Sequence, residues 1–358
     1  MGRMGQWWET VLVVTTLELR QRVRSTRWRA SLAALFALTS LVVFASLYLM
    51  VGAGHGTYHQ WTEFLYTIVT ITVLFLGLVI APTLSATSIS GDRRDATLAL
   101  VQAAPISQWQ LASGKLLGSW AASMALPVAC TPYLIWGTAA SRTGPGYCLL
   151  GAVAVAVLFG CYCAMGLGFS AFSARPTTSA VLTQFTVLLL VLGLPALFGL
   201  LLPSTRQTHQ IPSTTIDAGP PSYRSTCRNI TFTSDFEHTE RIWWLLAPNP
   251  FLILADVVGG HEPYVHINDS INDGTAIRAM AVMLSDSRAG PYLAGQFCAP
   301  DTSTDYWRPR VEHDESYLGK SWYWGLGANV LLGAAGYLLA ARRLRVPAGK
   351  LPRGVRIA

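Results

Sequence analysis

The 358 residues are 51% hydrophobic and only 13% charged, against about 25% charged residues in a soluble domain, which excludes an ordinary water-soluble fold. The formal net charge is +7. The basic residues flank apolar stretches instead of forming one patch, which argues against a nucleic-acid partner and for a membrane protein.

Residues 1–29 open the chain as a cytoplasmic amphipathic N-terminal helix. Trp8, Leu12, Thr15 and Leu19 fall on one helical face, with Glu18 and Arg22 as an i,i+4 pair opposite. A basic, Trp-bearing helix of this kind lies in the inner headgroup layer, or else forms a cytoplasmic stub. Residues 1–29 are too polar and Arg-rich for the apolar core of a signal peptide.

Six stretches then reach the roughly 20 apolar residues needed to cross a bilayer: Ala30–Val51, Phe64–Ser85, Leu116–Ala139, Tyr147–Phe172, Ala180–Leu202 and Trp322–Ala341. The expected fold class is an all-α polytopic membrane protein with six transmembrane helices and both termini on one side. That side carries sixteen Lys and Arg, in residues 1–29, the 88–115 loop, Arg175 and the basic tail 342–358. The two short loops opposite carry only Arg142. By the positive-inside rule the termini are cytoplasmic, N-in and C-in. Spans one to five occupy 30–202, and the sixth occupies 322–341. The basic arms suit anionic membrane lipids.

Within the fourth span, Gly160, Ala164 and Gly168 recur every fourth residue, a stripe that allows close helix packing. Residues 203–321 are polar and hold nine Lys and Arg against fourteen Asp and Glu. That length predicts a small extracytoplasmic domain between spans five and six. Inside it, Arg241–Gly260 is apolar but broken by Pro248-Asn249-Pro250, and reads as two short helices at the outer membrane face or as the buried core of the domain. Cys130, Cys148, Cys161 and Cys163 lie in spans and behave as small hydrophobes. Cys227 and Cys298 lie in the outer segment, where a disulfide between them would stabilise a small domain, with two free thiols as the alternative.

Catalytic chemistry is missing. Gly114-Lys115 is followed by Leu116, and Trp109 stands where a P-loop has its first Gly, so ATP hydrolysis by this chain is not expected. His261-Glu262-Pro263-Tyr264-Val265-His266 lacks the spacing of a zinc-protease motif, and no metal site is expected. No ionisable residue sits at mid-depth in any span, whereas ion-coupled carriers need such groups. Energy must enter from a partner, and the cargo must be hydrophobic or amphipathic.

The loop 88–115 is unusually patterned. Gly91-Asp92-Arg93-Arg94-Asp95 places alternating charges in the headgroup zone, where Asp92 or Asp95 can serve the positive end of a following helix. Thr97–Ala103, with Leu98 and Val101 on one face and Leu100 beside them, forms a helix too short to stand alone. Pro105 stops it. Ser107 and Gln110 then form a capping box, with Ile106 and Leu111 as its hydrophobic staple. A stiff strut of this kind suits a soluble partner, although an ordinary capped hairpin linker would read similarly.

These residues resemble the first cytoplasmic loop of the ABC type-2 permeases, the membrane subunits of many bacterial ABC exporters. Gly91, Arg93, Thr97, Leu98, Leu100, Pro105, Ile106, Ser107, Trp109, Gln110, Leu111, Gly114 and Lys115 match that loop, with Asp92 in place of the usual Glu. Asn249-Pro250-Phe251 and Leu254-Ala255-Asp256 extend the resemblance. It implies an ATP-binding cassette ATPase docked under the loop, with Thr97–Ala103 as coupling helix and the turn at Arg175-Pro176 as second contact. It also implies a second permease chain, identical or homologous, with ATP and Mg bound by the partner and no cofactor in this chain. The expected function is ATP-driven export of a drug, lipid or peptide across the plasma membrane. A non-transporting membrane sensor or assembly protein with a ligand-binding outer domain is the alternative.

Overall fold

The computed structural model describes residues 3–54, 56–94, 106–141, 143–173, 175–217, 226–261, 275–295 and 308–344. Helix α1 (Arg3–Val23) leads through the N-cap Ser25 into α2 (Thr26–Leu47), which ends in a π-turn at Tyr48–Gly52. A Thr57/Gln60 capping box starts α3 (Tyr58–Ala86). That helix ends at Ala86, one residue from the expected Ser85. After one step at Thr87 it continues as α4 (Ser88–Arg94), so Asp92 belongs to the end of a helix and not to the start of one.

The expected third span is not one helix. Residues Gln108–Ala140 form α5 (Gln108–Ser123), α6 (Ala125–Ala129) and α7 (Thr131–Ala140), joined at Met124 and Cys130. Pro127 and Pro132 cause the breaks, since each lacks the N–H that would bond the carbonyl four residues earlier. Among the described residues five helices are therefore long and apolar enough to cross a bilayer: Trp28–Gly52, Tyr58–Arg94, Pro145–Phe172, Pro176–Thr205 and Trp322–Arg343. Their length and composition make the chain a helical multi-pass membrane protein.

Helix α8 (Pro145–Phe172) is the centre of the bundle and packs on α3, α5, α9 (Pro176–Leu188), α11 (Pro250–Val258) and α14 (Trp322–Arg343). Its Leu158, Phe159, Tyr162 and Cys163 are fully buried. Phe159 lies so close to Gly77 that any Cβ there would overlap the ring. The small-residue stripe is divided between two neighbours. Ala164 and Gly168 meet Gly336 of α14, where a Cβ on Gly168 would lie 2.7 Å from the Gly336 Cα, while Gly160 faces Trp120 of α5. Gly333 meets Cys161 in the same crossing.

The insertion before the last span departs from the all-helical expectation. Strands β1 (Arg206–Asp217) and β2 (Thr226–Glu237) pair antiparallel from Arg206↔Glu237 to Asp217↔Thr226. Each is 12 residues, about 40 Å of ribbon. Thr and Ile recur along both strands, as a pleated, solvated ribbon favours. Arg206 donates to Glu237 at 2.8 Å and Thr208 to Asp235 at 2.6 Å across it.

Arg241–Gly260 is mostly buried, against two of the spans as well as the helix that follows it in the insertion. After two 3₁₀ turns, α11 has Leu252–Val258 all buried, packed against α8, α14 and α12 (Ala276–Ala289). Asn249 caps α11, and its Nδ2 donates to Val191 O at 2.9 Å. Val191 lies in the π-turn Leu189–Gly193 that links α9 to α10 (Leu194–Leu201). Pro195, four residues on, has no N–H to give that carbonyl. Asn329 of α14 closes the joint by donating to Pro248 O at 2.9 Å.

Asp256 is wholly buried and accepts from the backbone N–H of Gly319, Ser321 and Trp322 at 2.7–2.8 Å. It thus satisfies the orphan donors at the start of α14. Burial pushes its carboxyl up, against the pull of the three N–H groups and of His261. With the folded value above the unfolded one, the proton-linked part of its contribution is fully present below the unfolded pKa, about 3.9, and is lost as pH rises through the folded value, while the three hydrogen bonds remain. Asp256→Ala is expected to lower stability at pH 7 by about 2 kcal/mol, because three buried donors lose their acceptor. It should also flatten the decline of stability above about pH 4. Thermal midpoints of the detergent-solubilised variant and parent across that pH range check both.

Candidate functional site

The 88–115 loop leaves and re-enters the bundle at a buried ionic junction. On α1, Val11, Thr15, Glu18 and Arg22 recur at i, i+4, i+7 and i+11, which puts them on one face. That face lies on α5, where Gly114 and Gly118 let the helices touch: a Cβ on Gly114 would lie 2.6 Å from the Val14 side chain, and one on Gly118 2.8 Å from Glu18 Cβ. Thr15 Oγ1 donates to Gly114 O at 3.3 Å.

Between the two glycines, Lys115 is 2% exposed. Its Nζ donates to Glu18 Oε1 at 2.6 Å, Asp92 Oδ2 at 2.6 Å and Ser88 O at 3.3 Å, using all three of its protons. Arg22 sits 3.7 Å from Glu18 and donates to Leu84 O at 3.0 Å and Ser119 Oγ at 3.3 Å. Two acids and two bases thus balance in a place that α1, α3, α4 and α5 share. A buried charge is tolerated only when paired and fully hydrogen-bonded.

A second set of bonds fixes α4 to the end of α8. Ser170 Oγ accepts from the N–H of Ile89 and Ser90, both at 3.0 Å, and so caps α4 from a neighbouring helix. Arg93 donates to Ala171 O at 3.3 Å, at the negative end of α8. At the loop's exit the capping box is present: Gln110 N donates to Ser107 Oγ at 3.2 Å and Ser107 N to Gln110 Oε1 at 2.8 Å. Ile106 packs against the buried cluster that holds Leu111. Ser113 and Tyr337 share a hydrogen bond of 2.7 Å, which ties this start to the last span.

Gly91, Asp92, Arg93, Arg94 and Ser107 are therefore placed at the two anchored ends of the loop. Asp95, Thr97, Leu98, Leu100, Val101 and Pro105 lie outside the described residues, as does Cys298; of Cys227 only the backbone, in β2, is described. Exposed Arg175 and half-buried Pro176 form the start of α9, which touches α4 at this same end of the bundle.

The face of α1 differs from expectation. Trp8 and Leu12 are 50% and 56% exposed, and Glu18 with Arg22 points inward. Where lipid surrounds the bundle, apolar residues gain nothing by facing protein, and the polar pair goes inside. Glu18 was read from the sequence only as a surface partner of Arg22, and Ser170 and the packing role of Gly114 with Gly118 were not singled out. The small-xxx-small spacing around Lys115 was the available signal.

A family model described as ABC-2 family transporter protein matches residues 12–255. The match takes in the whole junction, from α1 to the end of α8. No curated protein matches the chain.

Proposed function

We infer that this chain, which belongs to the ABC-2 family of transporter proteins, is the permease subunit of an exporter that moves a hydrophobic or amphipathic compound using ATP hydrolysed by a separate subunit. Membership makes it a transport component of the membrane that works with an ATP-binding cassette subunit. Direction, cargo and the mode of coupling are our reading.

The observation that carries the reading is the pair of anchored loop ends. A loop tied by Lys115, Ser170 and Ser107 to the four helices α1, α4, α5 and α8 transmits force from a docked ATPase into the bundle instead of absorbing it. ATP binding then selects one membrane conformation over another. The turn at Arg175-Pro176, beside α4, is the second contact. Gln108–Ala140 supplies the sixth crossing in three pieces, which keeps both termini cytoplasmic and the insertion outside. A second permease chain would cover the two sparsely buried spans, Trp28–Gly52 and Pro176–Thr205, of whose apolar windows 11% and 17% is buried.

Proteoliposomes holding the chain and a co-purified P-loop ATPase should accumulate an amphipathic dye only with ATP. Asp92→Arg with Arg93→Glu should abolish that uptake while leaving membrane insertion intact. Uphill movement by this chain alone, or full activity in the charge-reversed variant, would overturn the reading.

A further inference from the structure

We propose that His209 and His238 form an acid-sensitive latch that holds the root of the β-hairpin on the helical part of the insertion. His209 stands on β1 and His238 follows β2 directly. Their Nε2 atoms lie 2.8 Å apart. His238 is nearly buried, and its Nδ1 lies 2.6 Å from Glu240 Oε1. One chain of donors satisfies this geometry: His238 Nδ1–H donates to Glu240, and a single proton lies between the two Nε2 atoms.

The surroundings decide what more protons do. Gln207, with its amide oriented to suit its neighbours, donates to His238 Nε2 at 3.2 Å and accepts from Arg241 at 3.0 and 3.1 Å. The Phe236 ring edges His209. From α12, Gly290 abuts Glu240, and from α13 (Arg308–Asp314) His313 Nε2 lies 3.0 Å from Gly290 O. Arg206 and Glu237 pair with each other on the opposite face of the ribbon. Glu240 is thus the one anion facing the histidine pair among the described residues, while Arg241 adds positive charge behind Gln207.

A first proton is accommodated on His209: its imidazolium still donates through Nε2 to a neutral His238, which keeps Glu240 on Nδ1 and Gln207 on Nε2. A second proton leaves two N–H groups pointed at each other at 2.8 Å, with one carboxylate for two cations. Histidine charges between pH 5 and 8. The opened root binds more protons than the closed one, so the latch weakens as pH falls. The turn at Thr239–Arg241 packs on α12, so opening frees the ribbon from the helices beneath it. His238 donates through Nδ1 and already accepts at Nε2, which leaves that ring no lone pair for a metal cation.

Hydrogen exchange of the full chain in detergent, corrected for the intrinsic pH dependence, reads the latch directly. Protection of the amides of Gln207–His209 and His238–Arg241 should fall about tenfold or more from pH 7.5 to 5, while α8 stays unchanged. His209→Gln keeps one hydrogen bond but cannot charge, and should show no such fall. Glu240→Gln should make the fall larger and start it at higher pH, because the closed root loses the anion that offsets its first proton. Constant protection in the parent, or an equal fall in His209→Gln, would refute the latch. Protection at pH 7.5 that depends on added Zn²⁺ and disappears with EDTA would refute it too, and make the pair a metal site. None of these readouts involves ATP or transport.

Discussion

Lys115→Met is expected to destabilise the detergent-solubilised chain by about 3–5 kcal/mol, the usual cost of leaving buried charges without their partner. Among the described residues the ammonium bonds both Glu18 and Asp92, so its loss takes the shared cation from two carboxylates that the bundle partly buries. Adding Glu18→Gln to Lys115→Met should restore part of the loss, since a single carboxylate, the better hydrated Asp92, then remains. The double variant is thus expected to be more stable than Lys115→Met alone, a sign that a sum of lost contacts would not give. Thermal midpoints of the two single variants and the double variant measure the coupling. A double variant that loses the sum of the two single effects would mean that the junction is a set of independent surface pairs.

Gly336→Val is expected to cost about 2–3 kcal/mol, at the upper end of what overpacking usually does. A Cβ at Gly336 would stand 2.6 Å from Ala164 O and 2.8 Å from Met165 Cα. These are backbone atoms of α8 and cannot swing aside. Gly327 lies on the same helix with nothing within 4 Å of the position a Cβ would take. Gly327→Val therefore gives the same change of helix propensity without the collision, and should leave the midpoint unchanged or slightly raised. Equal losses in both variants would show that flexibility of α14, and not its contact with α8, is what the glycine provides.

Much of the architecture was legible because bilayer physics imposes long apolar runs. The ends of Tyr147–Phe172 and the start of Trp322–Ala341 fall within two residues of the helices observed. The capping box at Ser107 was legible for a different reason, being a purely local pattern of four residues. The breaks at Met124 and Cys130 follow from Pro127 and Pro132, which a count of apolar residues ignores. The hairpin was missed because its strands are polar and Thr-rich, so their alternation has little hydrophobic contrast. The junction was missed for a more general reason. Glu18, Asp92 and Lys115 come together only through tertiary packing, over 23 and 97 residues of chain, and nothing in the sequence between them records the pairing.

The bond from Asn249 to Val191 bears on how this transporter can be remodelled. Pro195 leaves an apolar span one carbonyl short of a donor, and the missing donor comes from beyond the ribbon, while Asn329 depends in turn on Pro248. Grafts that exchange the ribbon for another sequence can end at Glu237 and leave this joint intact. Grafts that also remove Pro248–Asp256 must replace Pro195 with a residue that has its own N–H, or leave an unsatisfied oxygen facing oil.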